Sequence, residues 1–110
     1  MDATYLRRIV VWLHLSDHIM ATTQTMAWKE EDNRLTRSYE FKDFAHAFSF
    51  MTRVAFICEA MNHHPVWSNS WNKVHISLTT HDAGHMVTEK DRRLSDAIEK
   101  VWDEIKGLVS

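Results

Sequence analysis

The sequence predicts an α+β domain in which a four-stranded antiparallel sheet has its helices packed on one face. The first observation is the order of hydrophobic periodicities along the chain: helix, two strands, long helix, two strands, helix. The second is the scarcity of glycine and proline, two and one in 110 residues, which predicts short connections. This length is typical of one domain, which we assign to residues 16–110, and we expect residues 1–15 to be an N-terminal extension.

The first half of this pattern contains a short helix and a strand pair. A weak helical pattern covers about residues 18–26. In residues 35–41, every second side chain is large and the side chains between them are polar. This period of two predicts a strand with an aromatic face. Residues 28–32 are the candidates for its hairpin partner, with the turn at Asp32 and Asn33, although glycine is absent there.

A long helix is predicted to follow Asp43, which is a suitable N-cap residue. Phe50 and Ile57 widen its apolar stripe beyond what one small sheet face needs, so we expect burial on two sides and a partner subunit in a homodimer or homotetramer. Pro65 disfavours helical geometry in the residue before it, so the helix must end near His63. The stripe consists of Phe44, Ala47, Phe48, Met51, Val54, Ala55, Cys58 and Met61.

Two further alternating runs, residues 67–71 and 74–80, follow the long helix. They predict two strands, or one strand that is broken near Asn72. Thr88 followed by Asp91 has the spacing of a capping box, which opens a helix. This last helix has one apolar face, formed by Leu94, Ala97, Ile98, Val101, Ile105 and Leu108.

The composition argues against several broad classes of protein. The net charge is −2 with both signs mixed, which is not the pattern of a nucleic-acid-binding surface. No apolar stretch is long enough to cross a bilayer. The only cysteine, Cys58, cannot form an internal disulfide, which fits a reducing compartment. We therefore expect a soluble protein of the cytoplasm, or of the nucleus, without direct contact with nucleic acid or membrane.

Histidine is concentrated in one part of the chain, since five of the eight lie between residues 63 and 85. His63 and His64 lie where the long helix ends, and the negative end of the helix dipole favours imidazolium there. His81 ends a predicted strand. Two or three imidazoles in one pocket could donate and accept protons near neutral pH. Periodicity alone leaves open whether these three histidines are catalytic or structural.

The other histidines are interpreted as surface or structural residues: His14, His18, His46, His75 and His85. A zinc site is not expected, because the chain has one cysteine and no His-Glu-x-x-His run. Cys58 lies in the apolar stripe, where a thiol usually serves as packing. Neither a glycine-flanked serine elbow nor a phosphate-binding loop is present in the sequence.

The segment 41–84, FKDFAHAFSFMTRVAFICEAMNHHPVWSNSWNKVHISLTTHDAG, resembles the pterin-4a-carbinolamine dehydratases, and the resemblance extends over about residues 28–105. It rests on the His63-His64-Pro65 run with the tryptophan, asparagines and Thr-His-Asp that follow at the family's intervals. The resemblance implies a four-stranded antiparallel sheet with helices on one face. It also implies dehydration of 4a-hydroxytetrahydrobiopterin to quinonoid dihydrobiopterin, which recycles the pterin cofactor of aromatic amino-acid hydroxylation without a metal or organic cofactor in the enzyme.

The resemblance also implies an active site built on the three histidines. His63 and His81 are expected to move protons at the 4a-hydroxyl and N5 of the pterin, and His64 is expected to bind the substrate. Trp67 would flank the flat pterin ring. The remaining substrate-binding candidates are Glu59, one turn before His63 and expected to orient it, Thr80 beside His81, and Asp91.

Some positions depart from the family pattern. Val66 replaces a common glutamate, Trp71 replaces a usual tyrosine, and His85 replaces a common glycine. The segment 81–91 is one residue longer than usual. This length leaves open whether Asp91 reaches the site or only closes the capping box.

The resemblance finally implies partners. Family members assemble as dimers and tetramers through the long helix and the sheet edges, and some animal members bind a homeodomain transcription factor and stabilise its dimer. The alternative to an enzyme is therefore an interaction module that acts as a dimerisation cofactor of a transcription factor.

Overall fold

The computed structural model describes residues 28–109, which form four strands, two α-helices and one 3₁₀ turn. The extension 1–15 and the predicted helix at 18–26 lie outside the described residues, together with His14 and His18. The elements are β1 (Lys29–Glu31), β2 (Arg34–Glu40), α1 (Phe44–Met61), β3 (Val66–Ser70), β4 (Lys73–Leu78), the 3₁₀ turn (His81–Ala83) and α2 (Glu89–Val109).

The sheet has the order β1-β2-β4-β3, and all its neighbouring strands are antiparallel. The predicted fold class is therefore confirmed. The runs 67–71 and 74–80 correspond to two strands, which end at Ser70 and Leu78, and not to one broken strand. The β1–β2 turn forms without glycine because Asp32 and Asn33 both adopt positive φ, 54° and 61°. Two-residue hairpin turns of this kind need positive φ at both positions, and Asn and Asp tolerate it.

One face of the sheet and one stripe of α1 form the hydrophobic core. The α1 residues buried there are Ala47, Phe50, Val54 and Cys58. The ring of Phe50 lies 4.9 Å from that of Tyr39, centroid to centroid, at the centre of an aromatic cluster. Burial raises the pKa of the Cys58 thiol to about 11, so the thiol stays protonated and unreactive at neutral pH.

The assignment of Phe50 and Ile57 to a partner-facing side of α1 is wrong. Phe50 is 1% exposed within its own core, and Ile57 packs partly buried against the same core. The outward residues are instead Phe44, Phe48 and Phe56, which are 48%, 52% and 73% exposed. Helical periodicity indicated that the helix has two apolar sides, but it did not indicate which of them faces the sheet. The helix is thus apolar on two sides, as predicted, with different residues outside.

The end of α1 directs the chain toward β3. The helix ends at Met61, close to the predicted position, and Asn62 adopts a left-handed conformation with φ 52°. The amide of Asn62 donates to the Glu59 carbonyl, and the amide of His63 donates to the Cys58 carbonyl at 3.0 Å. A left-handed C-cap of this kind reverses the chain sharply, so the next residues leave the helix axis.

The last helix, α2, is held on the sheet by a partly buried polar network as well as by its apolar face. Arg37 of β2 makes two hydrogen bonds to the carboxylate of Glu99, at 3.1 and 3.0 Å, and the Tyr39 hydroxyl donates to the same carboxylate at 2.8 Å. Burial, then the nearby Glu99, raises the pKa of Tyr39, which therefore remains a neutral donor. Leu108, predicted on the apolar face, is 77% exposed, and Val109 packs against the core instead.

Neither of the two α-helices in the range 28–109 combines the length and hydrophobicity that crossing a membrane requires.

The inner side of α1 predicts a large loss of stability when its central side chain is truncated. Phe50→Ala should lower the free energy of unfolding by roughly 3–5 kcal/mol, because it leaves a cavity in the aromatic cluster. Leu108→Ala, at a 77% exposed position on α2, is the control and should cost far less. Urea unfolding monitored by circular dichroism at equal protein concentrations checks both values. A cost below about 1 kcal/mol for Phe50→Ala would contradict the central position of this ring.

Candidate active site

The site is organised around the carboxylate of Asp91, which is fully buried in the first turn of α2. Its Oδ1 lies 2.6 Å from Nε2 of His63. Its Oδ2 accepts hydrogen bonds from the Thr80 hydroxyl at 2.7 Å and from the Thr88 amide at 2.9 Å. The alternative left open by the sequence is thus resolved: Asp91 closes the capping box with Thr88 and also contacts His63.

The topology of the sheet explains why these residues meet. Strands β3 and β4 are antiparallel, and β3 begins opposite Ser77, near the end of β4. The chain just before β3 therefore lies beside the chain just after β4. His63 and His64 precede β3, whereas Thr80 and His81 follow β4, so all four lie at the same end of the sheet.

The Asp91 carboxylate is held in its ionised form. Burial raises the pKa of this group, but the hydrogen bonds from His63, Thr80 and Thr88 act in the opposite direction and leave the pKa below its ordinary value. An ionised carboxylate can only accept hydrogen bonds, so the proton shared with His63 belongs to Nε2 of the imidazole. The other ring nitrogen, Nδ1, then carries no proton in the neutral ring and can accept one.

Thr80 joins the end of β4 to this carboxylate. Its hydroxyl lies 2.6 Å from the Thr88 hydroxyl as well as near Asp91, and the residue is 6% exposed. From the sequence, Thr80 was predicted only as a hydroxyl group beside His81. The Thr88 side chain was not predicted to lie near the site. The capping-box spacing of Thr88 and Asp91 was the available signal for that neighbour.

Glu59 does not orient His63, contrary to expectation. Its Oε1 lies 3.0 Å from Nε2 of His64, and both side chains are largely exposed, 81% and 57%. The left-handed residue Asn62 redirects the chain, so the residue one turn after Glu59 points away toward Asp91. An exposed pair of this kind contributes little to stability, so both side chains remain available to a ligand.

His81 lies in the exposed 3₁₀ turn directly after Thr80. Its ring makes an edge-to-face contact with the ring of His85, with centroids 4.6 Å apart. Trp67 lies in β3 opposite Ile76 and packs, partly buried, against the core on the helix-covered face of the sheet. Hydrogen bonds therefore connect His63, Asp91 and Thr80, whereas His81 is linked to them through the chain.

Two of the histidines interpreted as structural have side-chain partners away from this site. Nδ1 of His75 lies 2.9 Å from the Ser38 hydroxyl on the open face of the sheet. Nδ1 of His46 lies 2.6 Å from Oδ1 of Asp43, which caps α1. Within the described part of the chain, no group of three or more His, Cys, Asp or Glu residues has the geometry to hold a metal ion.

A groove of about 880 Å³ lies elsewhere on the molecule, and its lining includes Arg37, Tyr39, Trp102 and Lys106. None of the predicted site residues lines it. The hydrogen-bonded group of His63, Asp91 and Thr80, and not this groove, therefore identifies the candidate site.

Comparisons with known proteins agree with the resemblance seen in the sequence. A family model described as Pterin 4 alpha carbinolamine dehydratase matches residues 14–101. A Synechococcus sp. (strain WH7803) protein named "Putative pterin-4-alpha-carbinolamine dehydratase" is 53% identical over 72 residues, 66% of this chain and 76% of that protein. A Rhizorhabdus wittichii protein of the same name is 51% identical over 74 residues, 66% of this chain and 75% of its own.

Solved structures show the same fold. The crystal structure of a transcriptional coactivator/pterin dehydratase from Brucella melitensis has a TM-score of 0.65 and 35% identity, covering 81% of this chain and 96% of that chain. A pterin dehydratase-like protein identified as a RuBisCO assembly factor in the alpha-carboxysome has a TM-score of 0.59. It is 19% identical and covers 68% of this chain and 88% of its own, so this second similarity concerns the fold alone.

The depressed pKa of Asp91 predicts an acid-dependent loss of stability. The ionised form stabilises the fold fully above the unfolded-state pKa of about 4, and this contribution is lost as the pH falls through the lower folded pKa. Asp91→Asn should therefore be less stable than the wild type at pH 7, and the difference should narrow below about pH 4. Urea unfolding at a series of pH values measures this difference.

Asp82→Asn, at an exposed carboxylate in the 3₁₀ turn, is the control and should follow the wild-type pH profile. A stability difference for Asp91→Asn that stays constant from pH 7 to pH 3 would contradict a contribution from the charge of Asp91.

Proposed function

Because this chain belongs to the pterin 4 alpha carbinolamine dehydratase family, we propose that it dehydrates 4a-hydroxytetrahydrobiopterin to quinonoid dihydrobiopterin and water, thereby recycling the pterin cofactor. The observation that carries this proposal is the pair formed by His63 and the buried carboxylate of Asp91, beside the turn that bears His81. No metal or organic cofactor takes part in the proposed reaction.

The reaction requires two proton transfers. The N5–H bond of the substrate gives up its proton, and its electron pair forms the N5=C4a double bond. The C4a–O bond breaks at the same time, and the departing hydroxyl takes up a proton to become water. One general base at N5 and one general acid at the hydroxyl are sufficient, and imidazole side chains commonly serve both roles.

We assign the base role to His63. Its Nε2–H is held by ionised Asp91, so Nδ1 is the ring nitrogen that can accept a proton. The imidazolium that forms is stabilised by the same carboxylate at 2.6 Å, in the manner of a histidine backed by aspartate in other enzymes. His81 then protonates the departing hydroxyl, and solvent can restore its proton because the residue is exposed.

The remaining predicted residues are assigned to substrate binding. His64 and Glu59 form an exposed pair that can present a donor and an acceptor to the polar edge of the pterin. Trp67 would stack beside the ring, where such contacts typically contribute about 0.5–1.5 kcal/mol. Thr80 and Asp91 act behind His63 and orient it, so their contribution to the site is indirect.

The alternative function is an interaction module, with transcription-factor dimerisation as the specific case. The observation in its favour is the exposed phenylalanine side of α1, formed by Phe44, Phe48 and Phe56. The Brucella melitensis relative is named a transcriptional coactivator/pterin dehydratase, so its name includes both kinds of role. A measured dehydration rate that depends on His63 would support the enzymatic function.

We propose that this same side of α1 joins copies of the chain into a homodimer or homotetramer. Burying each phenylalanine would contribute roughly 1.5–3 kcal/mol. A monomer would leave these three large apolar side chains in water on one helix, which is unusual for a free surface.

The catalytic assignment predicts a specific pattern of losses. His63→Ala and His81→Ala should each lower kcat by ~10²–10⁴-fold, the usual contribution of a positioned acid or base. His64→Ala should raise KM more than it lowers kcat, because its assigned role is binding. Rates are measured on a synthetic 4a-hydroxytetrahydropterin above the uncatalysed dehydration, and folding is checked by circular dichroism.

His75→Ala is the matched control, since its ring binds Ser38 on the open face of the sheet, and it should stay within a few-fold of the wild type. The double variant of His63 and His81 should lose less than the product of the single losses, because both residues serve one reaction. Folded single variants with near-normal turnover would show that the acid–base assignment is wrong.

Oligomer formation should depend on the outer side of α1. Sedimentation velocity at micromolar concentration should detect a dimer or tetramer for the wild type. Phe48→Glu should shift the population toward monomer, since it places a charge in the buried contact. Leu108→Glu is the control, at an equally apolar exposed position on α2. A wild-type protein that sediments as a monomer would refute this proposal.

A further inference from the structure

The loop that carries His81 is closed on itself by its backbone. The amide of Thr80 donates to the Met86 carbonyl at 2.9 Å, and the amide of His85 donates back to the Thr80 carbonyl at 3.0 Å. The amide of Gly84 donates to the His81 carbonyl at 3.1 Å. The loop therefore begins at Thr80 and is closed by hydrogen bonds to the backbone of the same residue, whose hydroxyl also binds Asp91.

His85 occupies an unusual backbone conformation within this loop. Gly84 and His85 have positive φ in succession, 77° and 61°. Glycine adopts this region freely, whereas it is uncommon for a residue with a side chain. Glycine or asparagine would suit this geometry, so a histidine here carries a ring that the backbone conformation does not need.

The ring of His85 makes an aromatic contact with the imidazole of His81. It meets the ring of His81 at 4.6 Å between centroids and 78° between planes, an edge-to-face arrangement. His81 has an exposed side chain in a short 3₁₀ turn, where an imidazole would otherwise rotate among several rotamers. A neighbouring ring on one side removes part of that freedom.

We infer that His85 is a positioning residue that holds the His81 imidazole in the orientation needed for proton transfer, an inference that rests on the proposed dehydratase function. His63 has a buried carboxylate to orient it, whereas His81 has the edge of a second imidazole. The two proton-transfer groups are thus oriented by different means, and Thr80 connects both: its hydroxyl supports Asp91, and its backbone closes the loop that brings His85 onto His81.

The test uses two substitutions that remove the ring but suit the backbone. Both His85→Asn and His85→Gly accommodate a positive φ, so the loop can keep its conformation. Each should lower kcat by roughly three- to tenfold, the range that an edge-to-face contact supports, with KM nearly unchanged. His75→Asn is the matched control on the open sheet face and should leave kcat unchanged.

A double variant sharpens the kinetic test. In a His81→Ala background there is no imidazole to orient, so adding His85→Asn should cause no further loss of turnover. A multiplied loss would show that His85 acts independently of His81 and would overturn the inference. Unchanged kcat for His85→Asn and His85→Gly in the wild-type background would overturn it equally.

A spectroscopic measurement separates this inference from the proposed function. The imidazole carbon-bound protons of His81, assigned by their absence in His81→Ala, should shift in His85→Asn because the ring current of His85 is lost. Those of His75 should not move. If the wild type fails to dehydrate the carbinolamine, the proposed function falls, and the His81 resonances still decide whether His85 contacts that ring. Resonances of His81 that do not change in His85→Asn refute the contact itself.

Discussion

The buried carboxylate of Asp91 is the constraint on which the rest of the site depends. A carboxylate that is removed from water must receive hydrogen bonds on both oxygens, since an unsatisfied buried charge is strongly destabilising. Its donors come from three separate elements: His63 after α1, Thr80 after β4, and the amide of Thr88 at the start of α2. The fold and the orientation of His63 are therefore secured by the same atoms.

A second polar anchor keeps α2 in register with the sheet. Glu99, two turns further along α2, accepts two hydrogen bonds from Arg37 and one from Tyr39 of β2. Sliding or rotating α2 by one residue would break this network and the contacts of Asp91 together. A hydrophobic interface alone tolerates small shifts more easily, because apolar contacts have little directional preference. The polar anchors thus fix the position of α2 on the sheet. The position of Asp91 in the site is fixed with it.

The features that could be predicted from the sequence are those determined by neighbouring residues. The alternating strands, the N-cap Asp43 and the capping box of Thr88 with Asp91 all depend on short spacings. The inward position of Phe50 could not be predicted, because periodicity does not indicate which apolar side of a helix meets the sheet. The partner of Glu59 was missed for a related reason: spacing along the helix favoured His63, but the left-handed turn at Asn62 ends that spacing.

The composition of the turns has a consequence for the unfolded chain. Asp32, Asn33 and Asn62 adopt positive φ in positions where glycine would be the least strained residue. A side chain at these positions restricts the conformations available before folding, which lowers the entropy that folding must remove. The same side chain adds some strain to the native turn, so the two effects oppose each other. A chain with two glycines in 110 residues thus combines slightly strained turns with a comparatively restricted unfolded ensemble.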